Sequence, residues 1–265
     1  MEKTRKKPLW GPRKPLKSSY DAVIVGGGLH GLATAYFLAR DHGITDVAVI
    51  DKNFIGFGGA GRNTAIVRAN QRTQENVPLY KEALDLWPVL TRELDFNLMF
   101  NNCGNLNLMH TEAAMKAARM NISTAQFLGV ESHLLAKKQV KELEPALNID
   151  EDITYPIHGA MFHPPGGILR HDAVVWGLAK GVAGYGGDIH QQTEVTAINT
   201  ENGKIASVET SEGKIKTPKV LVAAGGYSAA IISQMLGIRL PISVLTIQAM
   251  VTQPLKPLLD HVVSS

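Results

Sequence analysis

Asp21-Ala22-Val23-Ile24-Val25-Gly26-Gly27-Gly28-Leu29-His30-Gly31 carries the strongest structural signal in the chain. The run Asp21–Val25 is short and apolar, as expected of a strand buried in a parallel sheet. It stops at three glycines, and Leu32–Arg40, rich in helix formers, comes next. A second apolar run, Val47-Ala48-Val49-Ile50, ends at Asp51. The order strand–turn–helix–strand has the size of a βαβ crossover. Gly26, Gly28 and Gly31 spell G-x-G-x-x-G. The first glycine permits a tight turn, the second lets a pyrophosphate approach the backbone, and the third lets the helix pack on the strand. The helix N-terminus then presents free N–H groups and a positive dipole end. An acid where Asp51 stands accepts hydrogen bonds from ribose hydroxyls and disfavours a 2′-phosphate. These residues predict a dinucleotide site, for NAD or for FAD.

Two further stretches favour FAD. Gly56-Phe57-Gly58-Gly59-Ala60-Gly61-Arg62-Asn63 is a second glycine-rich loop soon after Asp51. Its backbone amides can reach the flavin side of a cofactor, so Gly61, Arg62 and Asn63 join the candidate contacts. Val222-Ala223-Ala224-Gly225-Gly226 reads as a strand running into two glycines before a helix. That adds Ala224, Gly225 and Gly226. A simple NAD dehydrogenase needs neither stretch.

Hydrophobic residues make up 45% of the 265 positions and charged residues 19%, enough for a sizeable core and against global disorder. No apolar run approaches the roughly 18–20 residues of a membrane helix. The net charge of +3 is concentrated in residues 1–17, with seven Lys/Arg against Glu2. The mildly acidic remainder argues against a nucleic-acid partner. This arm holds Pro8, Pro12 and Pro15 and lacks an apolar h-region, so it is neither a helix nor a secretory signal. It reads as a mobile or partner-wrapping arm. The single cysteine, Cys103, excludes an internal disulfide and a cysteine-based metal cluster, and fits a reducing cytoplasm. His158 and His163 lack spaced partners for a metal, and none is assigned. Helices are expected over 76–95, 111–128, 135–145 and 172–182. Strands are expected over 98–109, 153–163 and 242–253. A strand meander is expected over 188–223, with turns at Asn202-Gly203 and Glu212-Gly213.

Gly26–Tyr36 resembles the FAD fingerprint of the D-amino acid oxidase superfamily. Gly61-Arg62-Asn63-Thr64-Ala65-Ile66-Val67-Arg68 and Gly166-Gly167-Ile168-Leu169-Arg170-His171-Asp172-Ala173-Val174-Val175-Trp176 resemble motifs of its heterotetrameric sarcosine oxidase β-subunit family. The likeness runs from about Tyr20 to the end. It implies an α/β fold: a Rossmann-like FAD-binding domain of glutathione-reductase type with an interleaved, incomplete α+β substrate domain. The expected division is an arm at 1–17, an FAD domain at 18–89 and 165–240, and a partial substrate domain at 90–164 and 241–265. Relatives continue beyond this point, so a loop over the flavin and a substrate-holding lysine are expected to be missing.

The implied activity is oxidative demethylation of sarcosine, a small secondary amine, with the one-carbon unit released as formaldehyde or passed to tetrahydrofolate. The implied cofactors are non-covalent FAD and an FMN attached covalently to His171. The implied partners are α, γ and δ subunits. Arg68 is the expected anchor for a substrate carboxylate, because a guanidinium offers a bidentate fork; Arg72 is a weaker candidate. The family often carries an aromatic residue a few positions after this arginine, where this chain has Gln71. Arg170 is expected to keep the His171 imidazole neutral, and Asp172 to cap the following helix. The competing readings are another FAD-dependent amine or amino-acid dehydrogenase of the same superfamily, and a flavin-binding assembly subunit without catalysis.

Overall fold

The computed structural model describes residues 9–71 and 73–265. The first eight residues of the basic arm and Arg72 therefore lie outside the described residues. In chain order the elements are β1 (Ala22–Val25), α1 (Leu29–His42), β2 (Val47–Asp51), β3 (Ile66–Val67), α2 (Val77–Glu93), β4 (Asn105–Met109), α3 (Glu112–Phe127), β5 (His133–Ala136) and α4 (Lys137–Leu143). They continue with β6 (Gly159–His163), β7 (Gly167–Ile168), α5 (His171–Gly184), β8 (Asp188–Gln191), β9 (Val195–Glu201), β10 (Lys204–Thr210), β11 (Gly213–Lys216), β12 (Val220–Val222), α6 (Ser228–Leu236) and β13 (Val262–Ser264). The chain separates into two compact units.

Unit one comprises 9–63, 94–96 and 171–249. Its centre is a parallel sheet in the order β12-β1-β2-β8. The central strand β1 and Val47–Ile50 of β2 are apolar on both faces because both are covered. One face receives α1 and α5, where a Cβ on Gly181 would come within 2.8 Å of the Tyr36 ring. Only glycine lets that helix pair close. The other face shares a core with the antiparallel sheet β11-β10-β9, in which Val23, Val25, Ala48 and Ile50 pack with Val195, Ile198, Val208 and Ile215. Asn202 and Gly203 both have positive φ in the β9–β10 turn, as a two-residue hairpin of type I′ requires. Helix α1 ends where Gly43 turns left-handed, with Ile44 N donating to Leu38 O at 3.0 Å.

Residues 9–17 of the arm are docked on this unit. Leu16 packs against its core, Lys14 Nζ lies 2.6 Å from Asp188 Oδ1, Lys17 Nζ lies 2.8 Å from Asp46, and Arg13 pairs with Glu212. This described part is thus held by unit one itself, because its cations meet acids at the strand starts and turns of that unit.

Unit two comprises 64–93, 97–170 and 250–265. Its sheet runs β13-β4-β6-β5, with β6 antiparallel to β4 and β5, and β13 parallel to β4. Leu106 and Leu108 turn one face of β4 into a core with Val140, Ile157 and Ala160. Asn105 and Asn107 alternate onto the other face. The unit also holds the short ladder β3-β7. This pairing, and the packing of Ala69 and α2 with Ala125 and Val130, draw residues 64–89 into unit two. The first division therefore falls after Asn63 rather than after residue 89, and the return after Arg170 rather than before 165.

Three strand expectations change. Residues 242–253 form no strand; Val244, Leu245, Ile247, Met250 and Val251 are exposed. Apolar, β-branched composition does not make a strand without a neighbour to take its backbone hydrogen bonds. The expected strand 98–109 shortens to β4, because Met99 and Gly104 adopt positive φ and break the extended run. The expected strand 153–163 shortens to β6. Among the described residues no helix is long and apolar enough to cross a membrane.

Candidate flavin and substrate sites

In unit one the glycine motif sits where β1, α1 and β12 meet. Gly26 adopts φ +116°, and a Cβ there would lie 2.4 Å from Ala223 O. A Cβ on Gly31 would lie 1.9 Å from Gly26 O. These two glycines are demanded by the protein's own packing. Gly28 differs: its φ is ordinary, and the nearest atom to an added Cβ is 3.9 Å away. It caps α1 without a side-chain hydrogen bond, leaving first-turn N–H groups free for a phosphate. The open space over Gly28 is the property that a pyrophosphate cradle needs.

Asp51 ends β2. Its Oδ2 accepts from Gly27 N and its Oδ1 from Asn53 N, both at 2.8 Å. Each oxygen keeps a further lone pair for a ribose hydroxyl. The carboxylate therefore also ties the glycine turn to the end of the second strand. In the second glycine loop, a Cβ on Gly61 would strike Gly56 O at 2.5 Å, while Gly58 and Gly59 face open space. Asn63 Nδ2 donates to Gly59 O and Ala60 O, so this side chain shapes the loop. The Arg62 guanidinium lies 4.4 Å from the centre of the Phe57 ring. The strand β12 brings Ala224, Gly225 and Gly226 next to the first motif, and Gly225 adopts φ +59° with open space around it. Unit one thus gathers the residues expected to contact FAD into two glycine loops and the ends of β2 and β12. His30 is exposed.

His171 opens α5, whose Val175 packs under Gly56 of the second loop. Its Nδ1 is buried and has no hydrogen-bond partner among the described residues. A buried ring nitrogen without a partner suits a position that awaits a ligand. Asp172 Oδ1 accepts from Ala173 N in the first turn, as a helix-start acid should.

Arg68 belongs to unit two. It is half-buried, and among the described residues no carboxylate pairs with it. It lines a cavity of about 300 Å³ with Asn70, Gln71, Thr73, Asn107 and Met161. Asn107 and Met161 are direct cross-strand neighbours on β4 and β6. Gln71 Nε2 donates to Arg68 O at 3.2 Å, closing the turn. His163 fixes the next residue: its Nε2 accepts from Ala69 N at 3.2 Å, so its Nδ1–H donates to Glu131 O at 2.6 Å. Burial pushes the His163 pKa down, against the opposing pull of Glu131, and nearby Arg68 lowers it further. His163 is therefore a neutral bridge under the arginine, with both nitrogens used. Among the described residues no group of three or more His, Cys, Asp or Glu is placed to hold a metal ion.

The sequence reading missed Asn70, Thr73, Asn107 and Met161. Two signals were available: Asn70 lies two residues from Arg68, and Asn105-Leu106-Asn107-Leu108 alternates polar with apolar. Neither says what the polar face meets.

Known proteins resemble this chain closely. The sarcosine oxidase subunit beta of Rhizobium meliloti (strain 1021) is 44% identical over 97% of this chain and 61% of its own length. The corresponding subunit of an Arthrobacter species is 41% identical over 97% of the chain and 63% of its own length. The chain thus spans about three-fifths of these relatives. The crystal structure of L-proline dehydrogenase from P. horikoshii superposes with a TM-score of 0.79 at 30% identity, over 86% of this chain and 58% of that one. Residues 21–264 match the family described as DAO, FAD dependent oxidoreductase, and the chain belongs to that family.

Proposed function

We propose that this chain is the flavin-binding part of a sarcosine oxidase-like β subunit, acting on a small secondary amine that carries a carboxylate. The observation that carries the reading is Arg68: a half-buried guanidinium, unpaired among the described residues, at the wall of a polar cavity. A planar cation there grips a carboxylate bidentately and orients the neighbouring carbon–nitrogen bond. His163 and Gln71 both hold the peptide group that joins Arg68 to Ala69. Gly26, Gly28, Gly31 and Asp51 would hold the FAD pyrophosphate and ribose, with Gly61, Arg62, Ala224, Gly225 and Gly226 around the remainder. FAD, when bound, accepts the hydride that the amine loses.

The reading extends to a covalent FMN at His171, supported by the unpartnered Nδ1. It extends to α, γ and δ partner subunits, supported by the similarity to proteins named as subunits of a sarcosine oxidase. A cytoplasmic location is part of it, supported by a lone unpaired Cys103. The test is sarcosine oxidation by the complete polypeptide, co-expressed with its partner subunits, with Arg68→Met beside the wild type. Loss of a bidentate charge-assisted pair lowers kcat/KM by about 100-fold or more. Wild-type kcat/KM in Arg68→Met rejects the carboxylate anchor.

A further inference from the structure

Asn70 has a buried amide that no other described residue uses. It is 6% exposed, lines the Arg68 cavity, and has no partner at Oδ1 or Nδ2 among the described residues. Its neighbour Gln71 is different, with its amide nitrogen committed to Arg68 O. Burying an amide without partners is unfavourable, so such a group marks a place where a ligand completes the hydrogen bonding. The missing complement has a definite chemistry. Arg68 calls for an anion, Nδ2 for an acceptor and Oδ1 for a donor. An amino-acid-like amine supplies all three within a few bonds: a carboxylate, and an N–H on the adjacent carbon.

We propose that Asn70 is a specificity-determining residue that reads the amine N–H of a substrate anchored at Arg68, and so selects secondary over tertiary amines. The inference rests on the amine-oxidase reading above. Hydride loss requires the neutral amine, whose nitrogen lone pair drives it. A neutral secondary amine still carries one N–H to donate to Oδ1. A neutral tertiary amine carries none, and an N-methyl group then faces a buried, unpaired acceptor. Leaving that acceptor unpaired is the stronger form of discrimination open to a polar pocket.

N-ethylglycine and N,N-dimethylglycine are isomers that differ in possessing the N–H, which removes size from the comparison. With the complete enzyme and kcat/KM referred to the neutral amine, the wild type favours N-ethylglycine by about tenfold or more, the worth of one hydrogen bond to an otherwise unpaired group. Asn70→Leu keeps the side-chain shape and brings the ratio to within about threefold. The ligand-free Asn70→Leu chain melts at or above the wild-type temperature, because an orphaned amide has been removed. Equal use of the two isomers by the wild type overturns the proposal. So does a preference that survives in Asn70→Leu, or a lowered melting temperature, which would mean that buried water or the fold already satisfies the amide. Normal sarcosine turnover by Arg68→Met defeats the anchor and this inference with it. A defective Arg68→Met beside a wild type without isomer preference defeats the role of Asn70 alone.

Discussion

His171 and Arg68 show what single residues disclose. Both stood out in the sequence because their surroundings resemble family motifs, and each meets an unsatisfied environment in the fold. For His171 that environment is a buried Nδ1 without a partner among the described residues. Replacing it with Ala in the complete, partner-bound enzyme is expected to abolish acid-stable flavin fluorescence on a denaturing gel, while FAD released by acid is retained. Wild-type protein that releases all its flavin in acid would sink the covalent assignment. Asn70 and Asn107 were silent in the sequence for a physical reason. An asparagine's meaning depends on whether its four hydrogen-bonding positions are filled, and their fillers come from elsewhere in the chain. His163 is a similar case. The sequence excluded it from a metal site, but only the fold shows it bridging Ala69 and Glu131.

At the scale of elements, the βαβ unit was legible because its signals are local. Strand composition, glycine spacing and the acid at the next strand end all lie within about 30 residues, the span of one such unit. The glycines nevertheless have separate duties. Gly31→Ala drives a methyl group into Gly26 O and is expected to destabilise the chain by more than about 2 kcal/mol. Gly28→Ala meets open space at an ordinary φ. Its apo stability is expected to stay within about 1 kcal/mol of wild type, the usual span of a glycine–alanine exchange. FAD retention, read by absorbance after gel filtration, falls sharply. Equal damage from both substitutions would mean that Gly28 also serves packing rather than the cofactor. Residues 242–253 illustrate the opposite situation. Their β-branched and apolar content suits a strand, but pairing is a property of two segments and cannot be read from one.

For the molecule, the docked arm is the feature with a thermodynamic consequence. Asp188 is buried beneath it, with Tyr20 Oη donating to Oδ2 at 3.0 Å and Lys14 donating to Oδ1. With its proton committed to Asp188, Tyr20 Oη accepts from His190 Nε2–H at 3.1 Å. Burial pushes the Tyr20 hydroxyl up to about 12. Burial also works to raise the Asp188 pKa, but hydrogen bonds from Lys14 and Tyr20 and the charges of Lys14 and Lys17 outweigh it, and the net shift is downward. A carboxylate whose folded pKa is depressed contributes stability above its unfolded value near 3.8, and that stability is lost as pH falls through the folded pKa. Lys14→Ala with Lys17→Ala removes the compensating cations. It is expected to lower stability at about pH 7 by about 1–3 kcal/mol, allowing for the half-exposure of both lysines. The difference from wild type shrinks as Asp188 protonates. Melting curves from about pH 7 to pH 3 test this; a variant as stable as wild type throughout would assign the docking of the arm to apolar packing through Leu16 alone.

By itself the sequence determined the βαβ unit with its glycine motif and the FAD-dependent family, and it singled out Arg68 as the proposed carboxylate anchor. Each is written in residues close together along the chain, where backbone geometry alone sets which groups meet. Only the tertiary structure decided that residues 64–89 belong with the second unit, that the described part of the arm covers a buried aspartate, and that Asn70 shares a cavity with Arg68, Asn107 and Met161. These depend on strand pairing and on burial across long sequence separations. A polar group's energy is set there by which distant partner satisfies it, and no local pattern carries that information.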